Sequence, residues 1–188
     1  MAAFLTRAPA VEPVSTGEAK EHLRVDGDDE DGLIARLVTT ARRHLEGRTR
    51  RAFVDQGWRT TLDGWPADGI VVLRPAPLAA VEAVTVFDGE GTPHVVAAAD
   101  YTVVVARMPG LVRSAGAVAG LAANGLEIDF SAGYGPAAAD VPEPLRQAIL
   151  MLVGHWFEHR EAARIGAIAA PVALGVEALA APYRVARL

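Results

Sequence analysis

The feature that most constrains the fold is a change in the spacing of apolar residues, which occurs twice along the chain. Between about residues 31 and 47, apolar side chains recur three and four positions apart, as they do on an amphipathic helix. From about residue 53 to residue 135 the spacing is two, which is typical of β-strands. After Val141 the helical spacing returns. The chain therefore has to place helices and a sheet in one fold.

The strands follow one another without helices between them, and this order favours an antiparallel sheet. We predict an α+β fold: a small helical bundle with an inserted antiparallel β-sheet region and an extended C-terminal tail. The helices are expected at about residues 15–50 and 141–160, and the β insertion at about 53–135. Strands within the insertion are predicted at residues 56–62, 70–73, 81–87, 92–96, 101–105 and 126–130.

Local signals set the expected ends of the helices. Ser15 and Glu18 have the spacing of a capping box, so a short helix is expected to begin there. Gly47 is expected to end the long helix that follows. Asp140 is the expected N-cap of the last predicted helix, because Pro142 and Pro144, which suit a first turn, follow it closely.

Three segments carry no clear signal for a helix or a strand. Residues 1–14 are expected to form a mobile arm or an extended strap. Residues 114–125 are rich in alanine and glycine and are predicted to form a loop or a weak strand. Residues 165–176 contain no charged side chain. Such an apolar segment has to pack on its own core, on a neighbouring copy or on another protein.

Composition excludes several classes of protein. The 188 residues are 51% hydrophobic and 22% charged, which suits one globular domain with or without an arm. No apolar run reaches the ~18 residues of a membrane span, and no signal peptide is expected at the start. The chain has no cysteine, which excludes disulfides and fits a reducing cytosol. A net charge of -5 and a pI of about 5.5 argue against strong DNA binding.

One short motif suggests catalysis. His155, Glu158 and His159 match H-x-x-E-H, the inverted zinc-peptidase motif, in which Glu158 would act as general base. A catalytic zinc needs a third protein ligand, and the carboxylates downstream are Glu161 and Glu177. Glu161 would point to another side of the helix. A solvated helix end is therefore the simpler interpretation, and a small zinc-dependent hydrolase is kept as an alternative.

Other catalytic motifs are absent from the sequence. It has no G-x-x-x-x-G-K-[ST] phosphate loop, no G-x-G-x-x-G after a strand and no G-x-S-x-G nucleophile elbow. Its tryptophans do not alternate with basic residues, as they would on a base-stacking platform. We therefore predict that the protein is not an enzyme, and we assign no catalytic residue, metal ligand or cofactor.

Two segments of opposite charge flank the long predicted helix. Residues 26–31 contain five carboxylates, which the helix dipole favours, and they lack the glycine and the glutamate of an EF-hand loop. Arginines cluster at the other end. They form either a solvated helix end or a surface that pairs with the acidic segment of another copy, because complementary patches suit head-to-tail self-association. The candidate inter-subunit residues are Asp28, Asp29, Asp31, Arg42, Arg43, Arg50 and Arg51.

A series of short segments also stands in a characteristic order between residue 15 and the end of the chain. Their number and order carry more information than any one of them. The segments are 18–25 (EAKEHLRV), 28–31 (DDED), 41–52 (ARRHLEGRTRRA), 73–78 (LRPAPL), 132–135 (AGYG), 141–142 (VP), 146–149 (RQAI), 155–161 (HWFEHRE) and 181–184 (APYR).

In this order the segments resemble the head–tail connector (adaptor) proteins of tailed bacteriophages and of phage-like gene transfer agents. The resemblance implies a structural role without catalysis or cofactor. Such adaptors form a ring, usually of twelve copies, beneath the portal; the ring extends the DNA channel and meets a downstream tail or stopper protein. DNA would pass through the lumen without specific binding. The resemblance also implies assembly in the bacterial cytoplasm and a final place in the neck of the particle, with no membrane.

The resemblance further divides the chain into a connector domain, residues 1–164, and a C-terminal docking tail, residues 165–188. Members of the family often have asparagine where His159 stands, which weakens the zinc interpretation. A non-viral protein-interaction module is kept as a further alternative. The residues that the resemblance implies for portal or partner docking are Ile165, Ile168, Pro171, Leu174, Pro182, Tyr183 and Arg184.

Overall fold

The computed structural model describes residues 2–116, 122–159 and 170–186, the side chains of residues 170–173 excepted. Within these ranges, the predicted helices and strands occur in the predicted order, and the structure adds three elements that the sequence did not predict: β1, β7 and α4. The elements are β1 (Ala2–Arg7), α1 (Thr16–Leu23), α2 (Asp31–Thr49), β2 (Gln56–Leu62), β3 (Ile70–Val72), β4 (Leu78–Phe87), β5 (Pro93–Val95), β6 (Tyr101–Val104), β7 (Leu111–Ser114), β8 (Leu126–Ala132), α3 (Glu143–Glu158) and α4 (Ala170–Ala180).

The strands form two antiparallel sheets. The larger has the order β1-β2-β8-β4-β5, and the smaller has the order β3-β7-β6. In the larger sheet Arg59 of β2 lies opposite Asp129 of β8, and its Nε lies 2.6 Å from the Asp129 carboxylate. Such cross-strand ion pairs help to fix the register. The predicted α+β fold, with an antiparallel sheet region inserted between helices, is confirmed.

The helices share one apolar core. α2 and α3 lie at its centre, and α1 and α4 pack against them. A large apolar side chain stabilises the fold by ~1.5–3 kcal/mol when it is fully buried in such a core. A second apolar core lies between the sheets. The largest buried side chains of the two cores are Ile34, Leu45, Phe53, Leu145, Ile149 and Leu152 in the first, and Leu73, Leu126, Ile128 and Phe130 in the second.

Backbone hydrogen bonds join the helical region to the sheet region where the chain crosses between them. The Tyr134 N–H donates to the Phe53 carbonyl at 2.9 Å, and the Asp55 N–H donates to the Gly135 carbonyl at 2.9 Å. Gly133 stands between the two crossings with φ +153. A Cβ at Gly133 would lie 2.6 Å from the Asp55 backbone nitrogen, so only glycine fits there. The junction holds the end of α2 close to the sheet.

Helix ends agree in part with the sequence predictions. The capping box of α1 is present: the Ser15 hydroxyl accepts from the Glu18 N–H at 3.1 Å, and Glu18 accepts from the Ser15 N–H at 2.8 Å. The expected stop at Gly47 is wrong, because α2 runs on to Thr49 and Arg50 ends it with a left-handed φ of 57. The N-cap of α3 is also not Asp140. The Asp140 carboxylate instead accepts a hydrogen bond from the Ala137 N–H.

Two segments are more regular than their sequence indicates. Residues 2–7 form β1, which pairs with the edge of β2 while all of its side chains stay exposed. Leu111–Ser114 forms β7, the central strand of the smaller sheet. β1 depends on β2, a partner far away in sequence, and β7 pairs both with its sequence neighbour β6 and with the more distant β3. Local patterns do not reveal the distant pairings.

The described part of the tail packs on its own core. α4 lies against α3, and Val176, Ala180 and Val185 are buried. The sequence left three possible partners for residues 165–176: the chain's own core, a neighbouring copy or another protein. Within the described part of this segment, Val176 packs on the chain's own core. Among the described helices, none is both long and apolar enough to cross a membrane.

Candidate subunit-docking surface

The two charged segments lie at opposite ends of α2. The helix has 19 residues and begins at Asp31, and Arg48 stands in its last turn. At 1.5 Å per residue, the two ends are ~28 Å apart. The acidic residues favour the positive end of the helix dipole, and the arginines favour the negative end. One helix thus separates two surfaces of opposite charge.

At the first end, Lys20 of α1 pairs with the acidic segment. Its Nζ lies 2.7 Å from Asp31 and 2.9 Å from Asp28. These hydrogen bonds raise the pKa of Lys20, and the bond to Asp31 contributes more than the bond to Asp28. Asp26 and Asp29 are exposed, and no partner for either carboxylate lies within the described ranges. We call residues 26–29 the acidic turn.

Arg42 does not belong to the exposed surface that the sequence predicted. It is 4% exposed, and its guanidinium lies 2.6 Å from Glu12 and 2.7 Å from Glu46. Glu46 also accepts from the Phe53 N–H at 2.9 Å and from Gln56 at 2.6 Å. Burial raises the pKa of Glu46, although the positive charge of Arg42 acts to lower it. Arg42 is buried because it binds Glu12 and Glu46, and it thereby anchors the N-terminal segment of its own chain.

Further arginines at this end bind the C-terminal segment. The Arg50 guanidinium donates to the Val185 carbonyl at 2.8 Å, and the Val185 N–H donates to the Thr49 carbonyl at 3.0 Å. Arg51 donates to the Tyr183 carbonyl. Arg50 and Arg51 therefore have partners within the chain, and both partners are uncharged backbone oxygens.

Glu177 of α4 also joins the C-terminal segment to α2. Arg48 lies 2.8 Å from its carboxylate, and Arg184 also binds it. The hydrogen bond from Arg48 lowers the pKa of Glu177, and the charge of Arg184 lowers it further. Two arginines therefore share this carboxylate, which fixes α4 to the end of α2.

The residues predicted to dock on a partner are placed as follows. Ile165 and Ile168 lie outside the described residues, and the side chain of Pro171 is not described. Leu174 is 70% exposed and Pro182 is exposed, so both are free to meet another protein. Tyr183 is half-buried, and Arg184 binds Glu177. Docking by these residues remains a prediction.

A cleft of about 480 Å³ lies beside the basic end of α2. Its basic residues are Arg43, Arg50, Arg51 and Arg74, and Arg42 and Glu46 lie at its wall. Its apolar residues are Leu5, Ala8, Pro9, Trp58 and Pro75. We call this the arginine cleft.

Sequence reasoning missed the arginine cleft because three distant segments form it. β1 brings Leu5 beside Trp58, since these two residues are partners in the β1–β2 pairing. A bridge between Arg51 and Ala76 brings Arg74 to the same place. No local pattern marks residues 5, 58 and 74 as neighbours. Only the two charged segments at the helix ends could be seen in the sequence.

The zinc motif has no third ligand within the described ranges. The rings of His155 and His159 stack with centroids 4.6 Å apart, and a His159 ring nitrogen lies 2.9 Å from the His155 carbonyl. Of the two carboxylates that remained, Glu177 is engaged by Arg48 and Arg184, and Glu161 lies outside the described residues. No group of three metal-ligating side chains is found in the part of the chain that is described.

Comparisons with known proteins give consistent results. The family model described as "Phage gp6-like head-tail connector protein" matches residues 17–86. A chain in the structure "Virion of native gene transfer agent (GTA) particle" is 30% identical with a TM-score of 0.83, covering 100% of this chain and 97% of that one. A search of curated proteins found no match.

Two further structures match over nearly the whole chain. A chain in "Neck of native GTA particle computed with C12 symmetry" is 30% identical with a TM-score of 0.76, covering 98% of this chain and 97% of that chain. A chain in "Neck of empty GTA particle computed with C6 symmetry" is 28% identical with a TM-score of 0.81, covering 100% and 97%. The likeness thus includes the helices, both sheets and the C-terminal segment. The chain belongs to the family of phage gp6-like head–tail connector proteins.

Proposed function

We propose that this head–tail connector assembles as a ring of twelve copies in the neck of a phage or phage-like particle, where it extends the DNA channel and joins the capsid to the tail. One observation carries the proposal: the chain matches, over 98% of its length and at 30% identity, a chain in a neck structure computed with C12 symmetry. Nothing in this role requires catalysis, and we propose that the protein is not an enzyme and needs no cofactor.

The charge distribution supports a ring. A ring requires two different surfaces on each copy, because each copy contacts one neighbour with one surface and the next neighbour with the other. The acidic turn and the arginine cleft are two such surfaces, and α2 holds them apart. A net charge of -5 also suits a channel through which DNA passes without binding, because like charges repel the phosphates.

We further propose that the ring meets a portal protein on one side and a tail or stopper protein on the other. The docking tail, residues 165–188, would supply part of the portal contact. Leu174 and Pro182 are the exposed described residues best suited to it, because large apolar groups on a surface favour contact with another protein. Residues 1–164 would form the connector domain. Assembly would take place in the bacterial cytoplasm, and the final place would be the particle neck.

Deletion of the gene in the producing strain tests the proposal. We expect heads that contain DNA but carry no tails in electron micrographs, with tails restored by the gene supplied in trans. Normal tailed particles from the deletion strain would contradict the proposal. Complementation with a His155→Ala, Glu158→Gln variant separates the zinc alternative, because we expect this variant to restore tails fully whereas a hydrolase would lose its function.

A further inference from the structure

We propose that the arginine cleft of each copy binds the acidic turn of the next copy. This inference rests on the proposed ring and assigns the two surfaces that build it. It names a receptor that contains Leu5, Trp58 and Arg74, three residues that the sequence did not assign to any site. It also names the occupant, which is residues 26–29 of a second copy of this chain.

The charge of the arginine cleft calls for an anionic occupant. Arg43, Arg50, Arg51 and Arg74 line it, and none of them has a carboxylate partner within the described residues. Among the described residues that line the cleft, the one acid is Glu46, which is already engaged by Arg42, the Phe53 N–H and Gln56. The positive charges of four guanidinium groups around one concavity are therefore not balanced by a negative charge, although Arg50 and Arg51 donate to backbone carbonyls. Arginine is well suited to bind carboxylates at interfaces.

The apolar part of the cleft favours a polypeptide over a nucleic acid. Leu5, Pro9, Trp58 and Pro75 line it, and its volume of about 480 Å³ is enough for a few side chains. A surface that binds the DNA backbone is instead an extended basic stripe on a basic domain. This chain has a net charge of -5. A short acidic loop fits the walls and the charge together.

The acidic turn is the segment of this chain that best matches the cleft. Residues 26–31 include five carboxylates, the densest acidic stretch of the sequence. Asp26 and Asp29 are exposed and have no partner within the described ranges. The turn lies at the opposite end of α2 from the cleft, so it cannot reach the cleft of its own copy. The two surfaces can meet only between copies, and this contact is heterologous.

Disulfide trapping tests the contact directly, because the natural chain has no cysteine. An isotope-labelled Asp29→Cys chain is mixed with an unlabelled Arg43→Cys chain, oxidised, and analysed for the mixed dimer by mass spectrometry. Arg43 is exposed and stands on the rim, so its replacement leaves three arginines in the cleft. The matched control is Asp29→Cys with Arg113→Cys, an exposed arginine of the smaller sheet.

We expect about tenfold more mixed dimer from the cleft pair than from the control pair, because docked thiols react at an effective concentration in the millimolar range. Adding Asp26→Lys to the Asp29→Cys chain should reduce the yield several-fold, since it places a positive charge against the arginines. Equal yields from the two pairs, or a yield that Asp26→Lys does not change, would overturn the inference. Loss of the mixed dimer when duplex DNA is added at physiological salt would also overturn it, because the cleft would then be a phosphate site.

This outcome is distinct from that of the proposed function. If the gene deletion abolishes tails but the trapping experiment gives equal yields, the connector role stands and the ring uses other surfaces. If the deletion leaves tails intact, the connector role fails whatever the trapping experiment yields.

Discussion

The two ends of the chain are both fastened to α2, but by different kinds of contact. At the N-terminal end, Glu12 binds Arg42, whose side chain is 5% exposed. At the C-terminal end, Glu177 binds Arg48, and these side chains are 37% and 54% exposed. The C-terminal segment has an additional apolar anchor, because Val185 is buried. The first attachment is an ion pair to a buried arginine, and the second combines a buried valine with exposed ion pairs.

This difference predicts how each end will respond to substitution. A buried charge that loses its partner is strongly destabilising, because water cannot replace the partner. An exposed ion pair contributes little, because water and salt screen it. The arginines of α2 are therefore not equivalent, although they follow one another closely in the sequence.

The largest effect is expected at Arg42. Replacing Arg42 with leucine leaves the largely buried Glu46 and the partly exposed Glu12 without a positive partner, so the free energy of unfolding should fall by about 3–5 kcal/mol. Urea unfolding followed by circular dichroism measures this change. The neighbouring substitution Arg43→Leu is the control, because Arg43 is exposed, and it should change stability by less than about 0.5 kcal/mol. Similar losses from the two substitutions would remove the distinction between the ends.

A smaller effect is expected at Val185. Its replacement by alanine removes buried methyl groups at the C-terminal anchor and should lower the free energy of unfolding by about 1–2 kcal/mol. Hydrogen exchange should rise first in α4, because among the described residues this segment packs on α3 and binds the end of α2. Leu174→Ala serves as the control, since Leu174 is 70% exposed and its loss should leave exchange in α4 nearly unchanged. Uniform faster exchange over the whole chain would argue against a separate anchor.

The next effect in size is that of Glu177. Replacing Glu177 with glutamine should lower the free energy of unfolding by less than about 1 kcal/mol, because its pairs with Arg48 and Arg184 are exposed. The loss should shrink further in 0.5 M salt. A loss as large as that of Arg42→Leu would mean that the C-terminal ion pairs are as important as the buried one.

The smallest effect concerns the titration of two glutamates, whose pKa values should shift in opposite directions. The pKa of Glu177 is lowered by Arg48, so its stabilising contribution is present above the ordinary glutamate pKa and is lost as the pH falls through the lowered value. The pKa of Glu46 is raised by burial, so its contribution is present at low pH and is lost as the pH rises through the raised value.

Carboxyl NMR titration measures both shifts. The variant Arg48→Gln should return the pKa of Glu177 toward its ordinary range and leave Glu46 unchanged. A pKa of Glu46 below the ordinary value would show that Arg42 outweighs burial, and would reverse the predicted sign at that end.

Much of the fold could be predicted from the sequence, because most elements carry their own periodic signal. The strands predicted at residues 81–87 and 92–96 correspond to β4 and β5, and the capping box predicts α1. β1 was missed because its partner β2 is distant in sequence, and β7 because its four residues lie between the neighbouring β6 and the distant β3. For the same reason the arginine cleft could not be predicted, since Leu5, Trp58 and Arg74 meet only in the folded chain.

The positions of the charged segments along the chain could be predicted from the sequence, but the burial of each charged side chain could not. Arg42 and Arg43 are adjacent in sequence, yet a helix turns them by about 100° relative to each other, so one is buried and the other is exposed. Their shared residue type indicated one surface. The partner that separates them, Glu12, lies thirty positions earlier, and no spacing rule connects it to Arg42.

The central claim, that the chain is a structural ring subunit, is tested most directly by native mass spectrometry of the purified protein, alone and together with the portal protein of the same particle. We expect a metal-free ring of twelve copies in at least the second sample, in agreement with the C12 symmetry of a neck structure that the chain resembles. A chain that stays monomeric in both samples, or that retains one zinc ion per copy, would contradict the account.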